Sequence, residues 1–209
     1  MTLMSHIKKV LLLGSKSQSR QILLNEAKIP FRLIEQDVDE TECDWALPLE
    51  QVVESIAIHK MNHLIMPQGS EGDVEFVLTA DTLSQDHEGV IHGKPDDRAD
   101  AVAKIKAARN GSRLVTAFCL ERKRFTSGAW QTETRVVQCV SAEYVFNIPD
   151  AWVDIYLDNS IALNVSNAIA IEGFGAPFLK TISGSYSTIV GLPLYELRQA
   201  LEQLGFFNF

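Results

Sequence analysis

Short apolar runs ending in Gly, Ser or Asp, each followed by a segment of helical period, most restrict what this chain can become. Lys8–Leu13 is such a run. Gly14 and a serine-rich turn follow it, and Gln18–Lys28 then carries Ile22, Leu23 and Ala27 at helical spacing behind a Ser17 cap. Pro30 stops that helix, and Phe31–Glu35 predicts a second strand. Leu49–Met66 sets Val52, Val53, Ile56, Ala57, Leu64 and Ile65 on helical spacing and ends before Pro67. Val74–Ala80 has the composition of a buried strand, and Asp96–Asn110 that of a helix stopped by Gly111. Arg113–Phe125 and Gln131–Phe146 are long β-type runs joined by a hairpin at Ser127-Gly128. Helices beginning with proline in their first turn are expected at Pro149–Leu157 and Pro193–Leu204. Strand and helix mix throughout, so the class is α/β with a mixed sheet.

Residues 67–73 are the one clear polar break and read as a loop, so a single domain over residues 1–209 is expected. Hydrophobic residues make up 46% of the chain, enough at this length for a core that needs no disulfide or metal staple. Three cysteines with no CxxC pair exclude a disulfide framework and a cysteine zinc site, and point to a reducing, cytoplasmic setting. No apolar run approaches the ~20 residues of a bilayer span, and no secretory leader is evident, so no membrane partner is expected. With 19 basic against 27 acidic side chains the net charge is −8, which disfavours nonspecific nucleic-acid binding. A small anionic ligand is still compatible, because a pocket can be locally positive on an acidic protein.

Four places could hold chemistry. The turn Gly14-Ser15-Lys16-Ser17-Gln18-Ser19-Arg20 joins a strand to a helix, where unpaired backbone N–H groups and the helix dipole favour an anion. Ser15 and Ser17 permit close approach there, and Arg20 can fork onto phosphate oxygens. The alternative is an ordinary helix cap, and the turn lacks the ending of a Walker A loop. Asp81, in Thr79-Ala80-Asp81-Thr82, ends an apolar strand, which is a frequent catalytic position in α/β sheets and also a common turn start. Gly93-Lys94-Pro95 follows; a hairpin with Asp86 opposite Gly89 would set Lys94 across from Asp81. Acidic residues at Asp37, Asp39, Glu40, Glu42 and Asp44 read as a solvated loop with one or two carboxylates able to hold Mg²⁺. His59 and His63 have a zinc-compatible spacing without the HExxH glutamate, and the Gly173-Phe174-Gly175 stretch reads as a turn.

In this order the motifs resemble the Maf family of nucleoside triphosphate pyrophosphatases, also described as septum formation inhibitors. The resemblance runs from about Lys9 to Gly205. Gly14–Arg20 stands where the family has Ala-Ser-x-Ser-Pro-Arg-Arg, and Asp39-Glu40 matches its Asp-Glu pair. Ala57–Lys60, Ala80-Asp81-Thr82, Gly93-Lys94-Pro95 and Gly184–Pro193 match its later motifs, with Thr188-Ile189 in place of Asn-Val. The resemblance implies a mixed, strongly twisted sheet with flanking helices and two lobes around a central cleft, as in inosine triphosphatase-like folds. It also implies hydrolysis of a nucleoside triphosphate between the α and β phosphates, with Mg²⁺ or Mn²⁺, giving a monophosphate and pyrophosphate. dTTP, UTP or a modified nucleotide is the implied substrate, and a homodimer the implied assembly, for which the long hairpin could supply an interface. By the same resemblance Asp81 is the general base and Arg20, Lys60 and Lys94 neutralise the phosphate chain. Glu40, with Asp81, would hold the metal, and Ser15, Ser17, Thr82 and Glu172 line the substrate. The chain departs from the pattern at Ser19, where the family has arginine, at Ile169, where it has tyrosine, and at Glu172, where it has glutamine. These changes make the site more negative and support a second reading, a nucleotide-binding regulatory protein of impaired catalysis related to septum inhibition.

Overall fold

In the computed structural model, residues 9–38 and 43–207 are described. Seven strands form a mixed sheet in the order β2-β1-β3-β5-β6-β7, with β4 paired to β3. The strands are β1 (Leu11–Leu13), β2 (Phe31–Leu33), β3 (Val74–Asp86), β4 (Ile91–His92), β5 (Ser112–Thr126), β6 (Ala129–Phe146) and β7 (Leu179–Ser183). The helices are α1 (Gln18–Glu26), α2 (Leu49–Asn62), α3 (Arg98–Ala108), α4 (Asp150–Asn159), α5 (Tyr186–Val190) and α6 (Leu194–Gln203). The chain divides into two compact units. The first comprises residues 1–81, 117–139 and 192–209, and the second residues 82–116 and 140–191. Strands β3, β5 and β6 each contribute a segment to both.

In the first unit, β1 pairs in parallel with β2 on one side and with β3 on the other. Parallel neighbours need crossover connections, and α1 and the long α2 segment supply them. Leu11, Leu12 and Leu13 are fully buried, as expected of a central parallel strand covered on both faces. Leu12, Met61, Val77 and Cys119 form one apolar cluster, with Ile34, Ile58 and Leu64 packed against it. Burial pushes the Cys119 thiol up to about 12, so it packs as a small apolar side chain; none of the three cysteines forms a disulfide. Ser127 and Gly128 join β5 to β6 with φ values of 54° and 80°, the left-handed pair that a two-residue hairpin requires.

The second unit packs α3 and α4 around Tyr144, Phe146 and Tyr156. Phe146, Tyr156 and Phe178 meet at tilted and edge-on angles, with centroids 5.3 to 6.2 Å apart. Short 3₁₀ turns replace regular structure between α4 and β7, over Ala162–Asn164, Ser166–Ala168 and Gly173–Phe178. Asn167 and Ala168 are consecutive left-handed residues, φ 57° and 53°. That region costs Ala168 about 1–2 kcal/mol and Asn167 less, so surrounding contacts must hold them there.

Element boundaries shift from the sequence expectation at several ends. The expected strand Val74–Ala80 runs on to Asp86, α2 stops at Asn62, and β2 ends at Leu33. Pro149 and Pro193 occupy cap positions, one residue before their helices. Among the described residues no helix is long and apolar enough to cross a membrane.

Candidate functional site

The strand order reverses at β1, since the chain moves from β1 to β2 on one side and then crosses to β3 on the other. Such a reversal leaves room at the carboxyl ends of the two adjacent parallel strands, the usual ligand position in open α/β sheets. Leu13 pairs with Leu78 there, and the Gly14 N–H donates to the Leu78 carbonyl at 2.9 Å. A Cβ on Gly14 would lie 2.3 Å from Leu64 Cδ2 and 3.1 Å from Thr79 Cγ2, so a larger residue there requires the Leu64 side chain to move aside.

The serine-rich turn then folds onto itself. Ser17 caps α1, its Oγ accepting from the Arg20 N–H at 3.4 Å. Ser15 Oγ accepts from the Ser17 N–H at 3.3 Å and from Arg20 Nη1 at 3.1 Å. Arg20 is only 7% exposed, so a guanidinium is fixed within the first turn of a helix whose dipole opposes it. Ser19, in the same turn, is buried at 2%.

The second group comes from α2 and β3. Ala57 and Lys60 are three apart on the helix, and Thr79 and Asp81 are two apart on the strand, so each pair shares a face. Thr79 Oγ1 donates to the Ala57 carbonyl at 2.7 Å, which locks the helix against the strand. One turn on, Lys60 Nζ donates to Asp81 Oδ1 at 2.6 Å. Both residues are 7% exposed. Asp81 Oδ2 is buried and has no hydrogen-bond partner among the described residues. A buried, unpartnered carboxylate oxygen suits proton acceptance or a hard divalent cation. Asp81 Oδ2 is thus one oxygen of the kind that Mg²⁺ or Mn²⁺ takes. Glu40, expected beside it as a metal ligand, lies outside the described residues, as does Asp39. Among the described residues no three His, Cys, Asp or Glu side chains group as a metal site. The His59–His63 pair is instead held locally, His63 Nδ1 lying 2.9 Å from the His59 carbonyl.

Thr82, Lys94 and Glu172 belong to the second unit. Thr116 Oγ1 donates to the Thr188 carbonyl at 2.9 Å and lies 2.9 Å from Thr82 Oγ1. Because the single Thr116 proton goes to the carbonyl, Thr82 donates in the bond between the two hydroxyls. The expected pairing of Asp81 with Lys94 does not form. Strand β4 pairs Ser84 with His92 and Gln85 with Ile91, one residue away from the expected register, and the ladder stops there. The turn is the cause. Asp86 pairs with Val90 rather than Gly89, closing a three-residue turn in which Gly89 takes φ 87°. Asp86 Oδ1 also accepts from the Glu88 and Val90 N–H groups, and Oδ2 faces His92 Nε2 at 2.8 Å. Glu172 stands at the start of the 3₁₀ turn Gly173–Phe178, without a side-chain capping bond.

Sequence reasoning missed the residues that hold these groups. Thr116, Ser166 and Asn167 meet partners distant in sequence, whereas Lys104 pairs with Asp100 one helical turn before it. Only Gly14, a lone glycine directly after an apolar run, could have been read as a close approach.

Comparison with known proteins converges on one family. The family model described as Maf-like protein matches residues 10–204. A dTTP/UTP pyrophosphatase of Acholeplasma laidlawii (strain PG-8A) is 31% identical over 95% of this chain and 97% of its own. One of Shewanella sp. (strain MR-7) is 32% identical over 93% and 98%. A nucleoside triphosphate pyrophosphatase of Synechococcus sp. (strain CC9311) is 33% identical over 92% and 98%. With almost the full length matched and the Asp81 and Arg20 turns in place, this chain belongs to the Maf-like protein family.

Proposed function

We propose that this protein is a metal-dependent pyrophosphatase that hydrolyses the α–β anhydride of a nucleoside triphosphate, giving a monophosphate and pyrophosphate. The relatives' names support the reaction class, and dTTP and UTP are the substrates to try first. The single observation that carries the reading within the chain is Asp81, whose Oδ1 is held by Lys60 while Oδ2 is buried and unsatisfied.

Each residue has a part. Lys60 fixes the carboxylate in one rotamer, so that Oδ2 can accept the proton of the attacking water as the α–β bond breaks. Arg20, Lys60 and Lys94 take up charge along the phosphate chain, with Arg20 pre-set by Ser15 and the turn capped by Ser17. Thr82 and Glu172 contact the nucleoside end. Asp81 and Glu40 would hold Mg²⁺ or Mn²⁺, which when bound supplies positive charge to the phosphate oxygens. The protein is tested with a panel of normal and modified triphosphates plus Mg²⁺ or Mn²⁺. Monophosphate and pyrophosphate should appear in equal amounts and disappear in Asp81→Asn. Orthophosphate as sole product, or turnover unchanged in Asp81→Asn, would overturn the reading.

Ser19 favours the second reading, since a buried serine stands where the family pattern has a cation. A nucleotide-binding regulator predicts thermal stabilisation by triphosphates without turnover. Turnover at ordinary enzymatic rates would eliminate it.

A further inference from the structure

The backbone around Lys94 has almost no secondary structure to fix it. Strand β4 is two residues long and ends at His92, Pro95 has no N–H, and a Cβ on Gly93 would meet nothing within 4 Å. Yet three consecutive carbonyls there are each held by a donor from elsewhere in the second unit. Ser166 Oγ donates to the His92 carbonyl at 2.8 Å. The Asn167 N–H donates to the Gly93 carbonyl at 2.9 Å. Lys104 Nζ donates to the Lys94 carbonyl at 3.1 Å, and is itself anchored on Asp100 Oδ2 at 2.6 Å.

The donors are themselves fastened. Asn167 is fully buried, and its Nδ2 faces Tyr144 Oη at 3.3 Å, Ser84 Oγ at 3.4 Å and Ser112 Oγ at 3.5 Å. That polar cluster holds Asn167 in the left-handed conformation that aims its N–H at Gly93. On the other side, Tyr156 Oη accepts from the Ala170 N–H at 2.7 Å and faces the Ala168 and Ala170 carbonyls at 3.2 Å. Gly175 closes the far end, where a Cβ would sit 1.8 Å from the Ala170 carbonyl oxygen. Glu172 lies within this braced stretch.

We propose that Ser166 and Asn167, with Lys104, are positioning residues that fix the Gly93–Lys94 backbone, so that the Lys94 ammonium meets a phosphate chain already in place. The bracket holds main-chain carbonyls and leaves the lysine side chain uninvolved, an arrangement suited to a side chain whose work lies with a ligand. The kinetic part of this inference rests on the triphosphate reading above; the bracket itself does not.

The test uses the full chain. Amide hydrogen exchange at Asn167, whose N–H donates to the Gly93 carbonyl, should quicken without nucleotide in Ser166→Ala and return to the wild-type rate in Ser166→Thr, which restores the hydroxyl. In the same pair, kcat/KM for dTTP or UTP should fall about five- to tenfold and recover, the loss one such hydrogen bond produces. The fall should lie mainly in KM, matched by weaker inhibition by pyrophosphate, whereas general loosening of the fold would lower the melting temperature and leave KM alone. If Ser166→Ala does not fold, Lys104→Met removes the third donor and is read the same way. Unchanged exchange at Asn167 overturns the bracket. Faster exchange with unchanged kcat/KM overturns the positioning role. A wild-type protein that turns over no triphosphate defeats the functional reading alone, and the exchange comparison still decides the bracket.

Discussion

Among the described residues the first unit buries two carboxylates, Asp81 and Glu121, and they are treated in opposite ways. Glu121 is fully buried on β5 and completely satisfied: Lys123 Nζ lies 2.5 Å from Oε2, Thr132 Oγ1 donates to Oε2 at 2.8 Å, and Arg135 Nε donates to Oε1. Arg135 is in turn held by Asn62 Oδ1 at 3.0 Å. Asp81 has one cation on one oxygen and, among the described residues, no hydrogen bond on the other. Burying a charge is costly unless it is paired and hydrogen-bonded, so the Glu121 arrangement, with a partner on each oxygen, is what a structural carboxylate looks like. Asp81 keeps an unsatisfied oxygen at the end of the parallel strands, and that residual demand is available to a ligand. Two buried acid–base pairs of similar make-up thus differ in whether their hydrogen bonding is closed.

Exchanging function for stability at the two sites gives the largest predicted effect. Asp81→Asn should lower pyrophosphate release by about 10²–10⁴-fold, the usual worth of a general base, measured on the protein that remains folded. Comparable activity losses in Asp81→Asn and Glu121→Gln, measured on folded protein, would erase the distinction. Glu121→Ala should do the reverse: it strands Lys123 and Arg135 and should cost about 3–5 kcal/mol in urea unfolding, with KM unchanged in the protein that remains folded.

Acid titration gives a smaller effect. Burial pushes the Glu121 carboxyl up, but Lys123, Thr132 and Arg135 more than offset it and hold the group below the usual glutamate range. The folded protein therefore resists protonating Glu121 more than the unfolded chain does. The stabilisation is fully present above the ordinary glutamate range and is lost as pH falls through the lowered folded value. Unfolding midpoints measured from pH 7 downwards should fall less steeply for Glu121→Gln than for wild type; parallel curves would show that the cluster is not what acid attacks. The smallest effect concerns the hairpin that carries the cluster. Ser127 sits left-handed before Gly128, where asparagine is better tolerated, so Ser127→Asn should stabilise by a few tenths of a kcal/mol without touching activity.

Much of the first unit was legible because its site sits on regular elements of clear apolar pattern. An apolar run, a glycine and three serines announce β1 and its turn, and Asp81 lies in β3 directly after its evident apolar stretch. Lys60 was named through family resemblance, and the spacing of 57 and 60 against 79 and 81 explains why it arrives. The second unit was less legible. Turn geometry moved the β3–β4 register by one residue, and one residue is enough to send every side chain to the other face. Ser166 and Asn167 gave no signal, since a left-handed asparagine is indistinguishable in sequence from any other.

By itself the sequence determined the α/β class, the family and the identity of the charged groups, because these depend on local periodicity and on residue types in order. Tertiary structure decided which carboxylate oxygen is left unsatisfied and which carbonyls near Lys94 are gripped. Both depend on donors supplied from positions far along the chain, Lys60 to Asp81 and Ser166 to His92, whose meeting is set by packing and cannot be read from either segment alone.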